Sequence, residues 1–170
     1  MSSLATDSVN FEENNSDPRT QAISKITIHH MAGNGNPVYA AKNHLKGGNV
    51  SANYYIGSDG KIVSGVSENR RSWCSANGDN DQKAITIEVA NNGGEPNWPV
   101  SEQAYNSLIN LCTDICNRYG FDLSWTGDSN GSLTTHDMFK PTKCPGPYLK
   151  ERMPNIATQV NQNLQRLKNY

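Results

Sequence analysis

Three prolines, Pro141, Pro145 and Pro147, fall within the stretch T-T-H-D-M-F-K-P-T-K-C-P-G-P from Thr134 to Pro147, and no continuous helix fits it. Each proline removes a backbone donor and restricts the residue before it, so the segment is a stiff loop. A loop held in shape by prolines and Gly146 is a place for chemistry carried on a scaffold, not for core packing. It carries His136 and Cys144 with seven residues between them. Imidazole nitrogen and thiolate sulfur are the ligands a borderline-soft ion such as zinc prefers. A catalytic zinc takes three protein ligands and keeps a fourth position open, so a third ligand has to come from elsewhere in the chain. The paired histidines His29 and His30, at the end of the run Ile26-Thr27-Ile28, are the source. Taken singly, a His near a loop is a hydrogen-bonded or surface residue and a lone Cys a small buried hydrophobe. It is the combination that points to a metal.

The totals bound the rest. A chain of 170 residues, 35% hydrophobic and 18% charged, suits one domain with a core large enough to stand alone. Lys and Arg number 15 against 16 Asp and Glu, for a formal net charge of -1, so nothing argues for a nucleic-acid-binding surface. Cys74, Cys112, Cys116 and Cys144 are too few in too core-rich a chain to form a disulfide scaffold. Cys112 and Cys116 share one helix face a turn apart and read as core thiols. Met1 to Asn15 lacks a basic flank followed by an apolar run, and no stretch is long enough to span a membrane. The product is expected to start in the cytoplasm, without a signal peptide and without a membrane partner.

In chain order, Met1 to Arg19 is polar and aperiodic, an irregular lead-in packed loosely over the domain; the lead-in is drawn to residue 23. Ser24 to His30 reads as a buried strand with Ile26 and Ile28 on one face. Val38 to Leu45 is a short helix in which His44 faces solvent. A strand from Asn53 to Ile56, a turn at Ser58-Asp59-Gly60 and a strand from Lys61 to Val66 form a hairpin, since Gly accepts positive φ in the turn. Ser67 to Lys83 is a polar loop anchored by Trp73 and Cys74, with N-G-D-N-D at an exposed tip. Ala84 to Ala90 is the clearest core strand, with Ile85, Ile87 and Val89 on one face and Thr86 and Glu88 on the other. Read alone, that carboxylate belongs to a solvated face. Ser101 caps a core-packing helix that Gly120 ends, with Ala104, Leu108, Leu111, Cys112, Ile115 and Tyr119 on its apolar stripe. Tyr148 to Leu167 is a last helix, with Leu149, Ile156, Val160, Leu164 and Leu167 inward. Strands alternating with helices and a hairpin give an α/β domain, a mixed central β-sheet flanked by about three helices.

The segments I-T-I-H-H, N-V-S-A-N-Y-Y-I-G-S-D-G-K-I, A-I-T-I-E-V-A-N and T-H-D-M-F-K-P-T-K-C-P-G-P, in that order and spacing, resemble the type 2 N-acetylmuramoyl-L-alanine amidases. That family of zinc enzymes includes phage endolysins and the animal peptidoglycan recognition proteins. The resemblance runs from about Ser24 to Leu164, and it implies a peptidoglycan recognition protein-like fold with hydrolysis of the amide between N-acetylmuramic acid and L-alanine. Carried over by position, the zinc ligands fall on His29, His136 and Cys144, with His30 packing beside them. The general base falls on Glu88, which overturns the solvated-face reading. Where many members place a catalytic tyrosine this chain has Ala52, and such variants are the ones that carry the strand glutamate. Where some members place a lysine, two residues before the metal cysteine, it has Thr142, a candidate donor to the oxyanion. Zinc would acidify a water and polarise the scissile carbonyl, and Glu88 would take the proton and return it to the alanine nitrogen. Trp73, as a wall of the groove, and Asn53 are the candidate contacts for sugar and stem peptide.

Three rival readings share these residues. A non-catalytic peptidoglycan-binding module of the same fold usually loses a zinc ligand, most often the cysteine, and this chain keeps all three. A structural zinc domain needs a fourth ligand, for which Cys74 and His30 are the spare candidates. A cysteine hydrolase built on Cys144 and His136 lacks the helix N-terminus that usually lowers a nucleophile's pKa. The expectation is therefore a single catalytic domain over residues 1–170, the monomeric amidase domain of a phage or prophage endolysin. It would stay in the host cytoplasm until lysis and then act at the cell wall. Residues 159–170 would begin a linker to a separate cell-wall-binding domain.

Overall fold

The computed structural model describes residues 1–169. Its strands are β1 (Asp7–Ser8), β2 (Asn15–Ser16), β3 (Lys25–His30), β4 (Tyr54–Ile56), β5 (Ile62–Ser64), β6 (Arg71–Ser72), β7 (Ala84–Val89) and β8 (Leu133–Thr135). Its helices are α1 (Pro37–Gly47), α2 (Gly78–Lys83), α3 (Glu102–Tyr119) and α4 (Pro147–Lys168), with a single 3-10 turn at His136–Met138.

Six strands form one mixed sheet in the order β1-β5-β4-β7-β3-β8, and β2 pairs with β6 in a separate ribbon. β4 and β5 are the antiparallel hairpin, closed by Gly57 to Gly60, while β4, β7, β3 and β8 run parallel. Parallel strands are covered on both faces, and β7 is buried at every position. Side-chain alternation divides the core in two. Ile26, Ile28, Tyr54, Ile56, Ile85, Ile87 and Val89 pack against the apolar stripes of α3 and α4. Tyr55, Val63 and Ala52 face the other way, onto Ala41 of α1 and onto Val9, Phe11 and Cys74.

The helix ends follow their signals. Ser101 Oγ accepts from the amide of Ala104 at 3.1 Å, and Gly120 stops α3 with φ of 75°. α4 begins at Pro147, where a missing N–H costs nothing, and contains Pro154 about two turns later. Cys112 and Cys116 are free, buried thiols on α3.

Several expectations need correction. The lead-in is not loosely packed. β1 is the edge strand of the main sheet, β2 makes the ribbon with β6, and Val9 and Phe11 are core residues. Its apolar anchors are too few and its strands too short to leave a periodic signal. The N-G-D-N-D stretch is α2, not an exposed tip: Asn77 Oδ1 accepts from Asn80 N, and Asn80 and Asp81 are buried. With α2 the helices number four among the described residues. His44 does not face solvent freely, because its Nδ1 lies 2.8 Å from the Tyr55 hydroxyl. Leu167, expected inward, is exposed. Residues 159–168, expected to begin a linker, are the last turns of α4 and bury Val160 and Leu164; Tyr170 lies outside the described residues.

Candidate functional site

Parallel pairing fixes the first step of the site. β3 and β7 run in register with His29 opposite Glu88, so both side chains leave the same face at the carboxyl ends of their strands. Crevices beyond those ends are where open α/β sheets bind ligands. β8 lies on the other side of β3, and the chain turns off it directly into His136. Below this level the strands carry a row of hydroxyls. Thr27 Oγ1 meets Thr134 Oγ1 at 2.9 Å, and Thr86 Oγ1 meets Ser72 Oγ at 2.7 Å. The buried polar row holds the register of the strands that present the site.

The proline-rich loop then returns Cys144 to the same place. The donor atoms of His29, His136 and Cys144 all lie within 4.8 Å of one another. His29 Nδ1 is 3.8 Å from Cys144 Sγ, and the two imidazole rings have centroids 4.5 Å apart. The backbone N–H of His30 donates to Cys144 Sγ at 3.4 Å, and Cys144 N donates to Thr142 Oγ1 at 3.2 Å. Gly146 follows with φ of 84°, and a Cβ there would come within 3.0 Å of Trp98 Cβ and 3.3 Å of His30 Nδ1. Only glycine lets the loop pass that close. Lys150 of α4 ties the turn down by donating to both Asp137 carboxylate oxygens at 2.9 Å.

Burial sets the electrostatics. It pushes His29 well below the usual histidine value, with His136 adding to the effect, and lowers His136 as well. Both rings are therefore neutral and offer lone pairs. Burial and the nearby Glu88 push the Cys144 thiol up, so ionising it requires a cation close by. His136 Nε2 is buried and has no hydrogen-bond partner. Two neutral imidazoles, one of them orphaned, and a thiol within this radius fit a borderline-soft divalent ion such as zinc. A second group, His29 with Cys74 and Glu88, is equally compact but shares His29. The first group leaves Glu88 free, and thiolate with two imidazoles is the softer set.

Glu88 is 7% exposed, and burial pushes its carboxyl up to about 8. Its one side-chain neighbour by hydrogen bonding is the Cys74 thiol, with Sγ 3.8 Å from Oε1. Glu88, Cys74, Cys144 and His136 sit in a cleft of about 590 Å³ whose walls include Trp73, Arg71, Lys140 and Thr142. Trp73 is half-buried, its indole N–H donating to Ser16 Oγ at 3.0 Å. Asn53 is a correction. It is fully buried away from the cleft, donating to Val66 O and accepting from Thr86 N, so its amide is spent on joining β4 to β7.

Two residues the sequence did not single out support the site. Ser75 Oγ lies 3.1 Å from His29 Nε2, and when Nδ1 acts as a ligand the Nε2–H donates to it and fixes the ring. Asp81 accepts from the amides of Cys74 and Ser75 at 3.2 and 2.9 Å and so shapes the loop that carries both. Neither has a motif of its own; a buried Asp in a six-residue helix shows only in three dimensions.

Residues 19–147 match the family model described as N-acetylmuramoyl-L-alanine amidase. No curated protein sequence matches the chain. Among solved structures, PlyL superimposes with a TM-score of 0.72 at 16% identity, over 91% of this chain and 95% of that one. The endolysin N-acetylmuramoyl-L-alanine amidase LysCS of Clostridium intestinale URNW gives 0.66 at 22% identity, over 92% and 97%. The Staphylococcus aureus hydrolase AmiA, in complex with its ligand, gives 0.71 at 15% identity, over 93% and 82%. At these identities the superpositions speak for a shared fold.

Proposed function

The chain belongs to the N-acetylmuramoyl-L-alanine amidase family, and from that premise we propose that it is a zinc-dependent hydrolase of the amide between N-acetylmuramic acid and L-alanine in bacterial peptidoglycan. The observation that carries this reading is the meeting of His29, His136 and Cys144 within 4.8 Å, with His136 Nε2 buried and unpartnered, beside a carboxyl group at the floor of a cleft.

His29, His136 and Cys144 are the residues that would hold the ion. Bound there, zinc supplies Lewis-acid polarisation of a carbonyl oxygen and acidifies a water. The remaining roles belong to side chains. Glu88 is the acid and base: burial brings its carboxyl near neutrality, where it can accept a proton from the attacking water and pass it to the leaving alanine nitrogen. Thr142 Oγ1 accepts from Cys144 N, which leaves its hydroxyl proton to donate to the developing oxyanion. Trp73 offers a flat wall against which the sugar or stem peptide can lie. Ser75 keeps the His29 ring oriented. No described helix is long and apolar enough to cross a membrane. With the endolysin described for Clostridium intestinale as a fold relative, the role that suits this chain is host lysis: synthesis in the host cytoplasm, then action on the wall as a single catalytic domain.

Digestion of purified cell walls followed by mass spectrometry of the products tests the reading. New alanine amino termini with no new reducing sugar ends are the expected result. Reducing ends, cleavage within the peptide, or a zinc-loaded protein that binds walls and cuts nothing would overturn it, the last in favour of recognition alone.

A further inference from the structure

We infer that Cys74 and Glu88 form a second site for a soft divalent cation on the floor of the cleft, at which excess zinc inhibits the protein. The site stands on the side chains alone; the inhibition rests on the amidase reading above, with Glu88 as its base.

Cys74 has no part in the three-ligand centre or in the acid-base step. It packs in the second core with Val9, Phe11 and Tyr55, yet its Sγ turns to Glu88 Oε1 at 3.8 Å. A residue serving only as apolar filling needs no such contact. Two donors on one tetrahedral zinc, sulfur at about 2.3 Å and oxygen at about 2.1 Å, lie about 3.6 Å apart, so the pair is spaced as two ligands of a single ion. His29 Nδ1 and Cys144 Sγ, from the first set, have the same 3.8 Å separation. Both donors are held in place. Glu88 is fixed by the pairing of β7 with β3 and β4. Cys74 is fixed by its own amide and that of Ser75, which donate to Asp81 Oδ2 at 3.2 and 2.9 Å. Both also line the cleft, Cys74 with 5% and Glu88 with 7% of its surface exposed. An ion entering the cleft therefore meets a thiol and a carboxyl already set at ligand spacing.

The donors decide which ion binds and in what order. Donor atoms of His29, Cys74 and Glu88 lie within 4.8 Å of one another, but His29 is shared with the first set. Once its Nδ1 holds the first ion, its Nε2 is turned to Ser75 Oγ at 3.1 Å. The second ion is left with one sulfur and one carboxylate, and takes water for the rest of its shell. Two protein ligands hold zinc more weakly than three, so this site fills after the first and only when zinc is in excess. Thiolate selects zinc or cadmium over magnesium and calcium. A carboxylate engaged by a cation is a poor base, so filling the site stops the proton transfers assigned to Glu88.

The experiment takes the full chain through rising free zinc. Bound metal is counted by equilibrium dialysis, and wall cleavage is measured on the same samples, each protein relative to its own value at one zinc per chain. The wild type is expected to bind one zinc and then, in excess, a second, with cleavage falling about tenfold or more as the second is taken up. Cys74→Ala and Glu88→Gln should each hold one zinc fewer than the wild type in excess, and the first zinc they keep shows that they are folded. Cys74→Ala should also escape the inhibition. Magnesium at the same concentrations should neither bind at the pair nor inhibit. A wild type that stops at one zinc, a second zinc held equally by both variants, or a second zinc that leaves cleavage undiminished overturns the inference and leaves the amidase reading intact. If a second zinc is taken up through Cys74 and Glu88 but no wall is cut at any zinc level, the site stands, and the amidase reading falls together with the inhibition built on it.

Discussion

Glu88 and Ser75 act on the site from different distances, and substitutions separate them. Glu88→Gln keeps the shape and removes the base, so kcat should drop by about 10²- to 10⁴-fold with one zinc still bound per chain. Kinetics paired with metal analysis checks this, and loss of the metal along with activity would make Glu88 a ligand instead, in the grouping with Cys74. Ser75→Ala leaves all three ligands in place but removes the acceptor of the His29 Nε2–H, which has no other hydrogen-bond partner among the described residues. Zinc affinity should weaken by roughly tenfold or more, as measured by competition with a chromophoric chelator. An unchanged affinity would mean that packing alone orients the ring. At this scale much was legible. His136 and Cys144 share a loop whose prolines announce it, and His29 ends a run of β-branched residues. Asn53 misled because a polar residue at a strand end looks the same whether it faces a ligand or a neighbouring strand. Ser75 was invisible because a serine in a polar loop has no periodicity to betray its partner.

Among elements, the lead-in and α3 meet through Glu68, in the loop after β5. Arg118 donates to both of its carboxylate oxygens at 2.7 and 2.8 Å, Tyr119 donates at 2.6 Å, and the Tyr54 hydroxyl donates as well while accepting from Ser2 N. Burial alone would raise the Glu68 carboxyl; these donors more than offset it and hold it at about 2, against an ordinary 4.5. A depressed carboxyl stabilises the fold fully above its unfolded value, and the contribution is lost as pH falls from about 4.5 through 2. Glu68→Gln should therefore cost on the order of 3 kcal/mol at neutral pH, the scale for breaking a buried charge pair. Its denaturant midpoint should also vary less with pH below 4.5 than that of the wild type. Urea titrations at pH 3 and pH 7 decide it, and a wild-type curve no steeper in pH than the variant's would contradict the assignment. The hairpin, α1, α3 and α4 were readable from caps, turn residues and apolar stripes. The two-residue strands β1, β2 and β6 were not, since pairing that short depends on distant residues such as Val9 and Phe11 finding the second core.

For the whole molecule, one sheet divides two cores and opens a cleft where its parallel strands end, and the central claim is that a zinc ion held by His29, His136 and Cys144 makes that cleft an amidase. The fold class was legible from the alternation of strands and helices. The order β4-β7-β3-β8 was not, because it is set by which buried faces match and leaves no mark on any one segment. The most direct test counts zinc per chain and alanine amino termini released from cell walls for the wild type, for chelator-treated protein before and after zinc is restored, and for Cys144→Ala. The account predicts one zinc per chain with activity, loss of both on chelation, return of both with zinc, and little of either in Cys144→Ala at any zinc level that the wild type needs. Full wall cleavage by the chelated protein or by a zinc-free Cys144→Ala would contradict it.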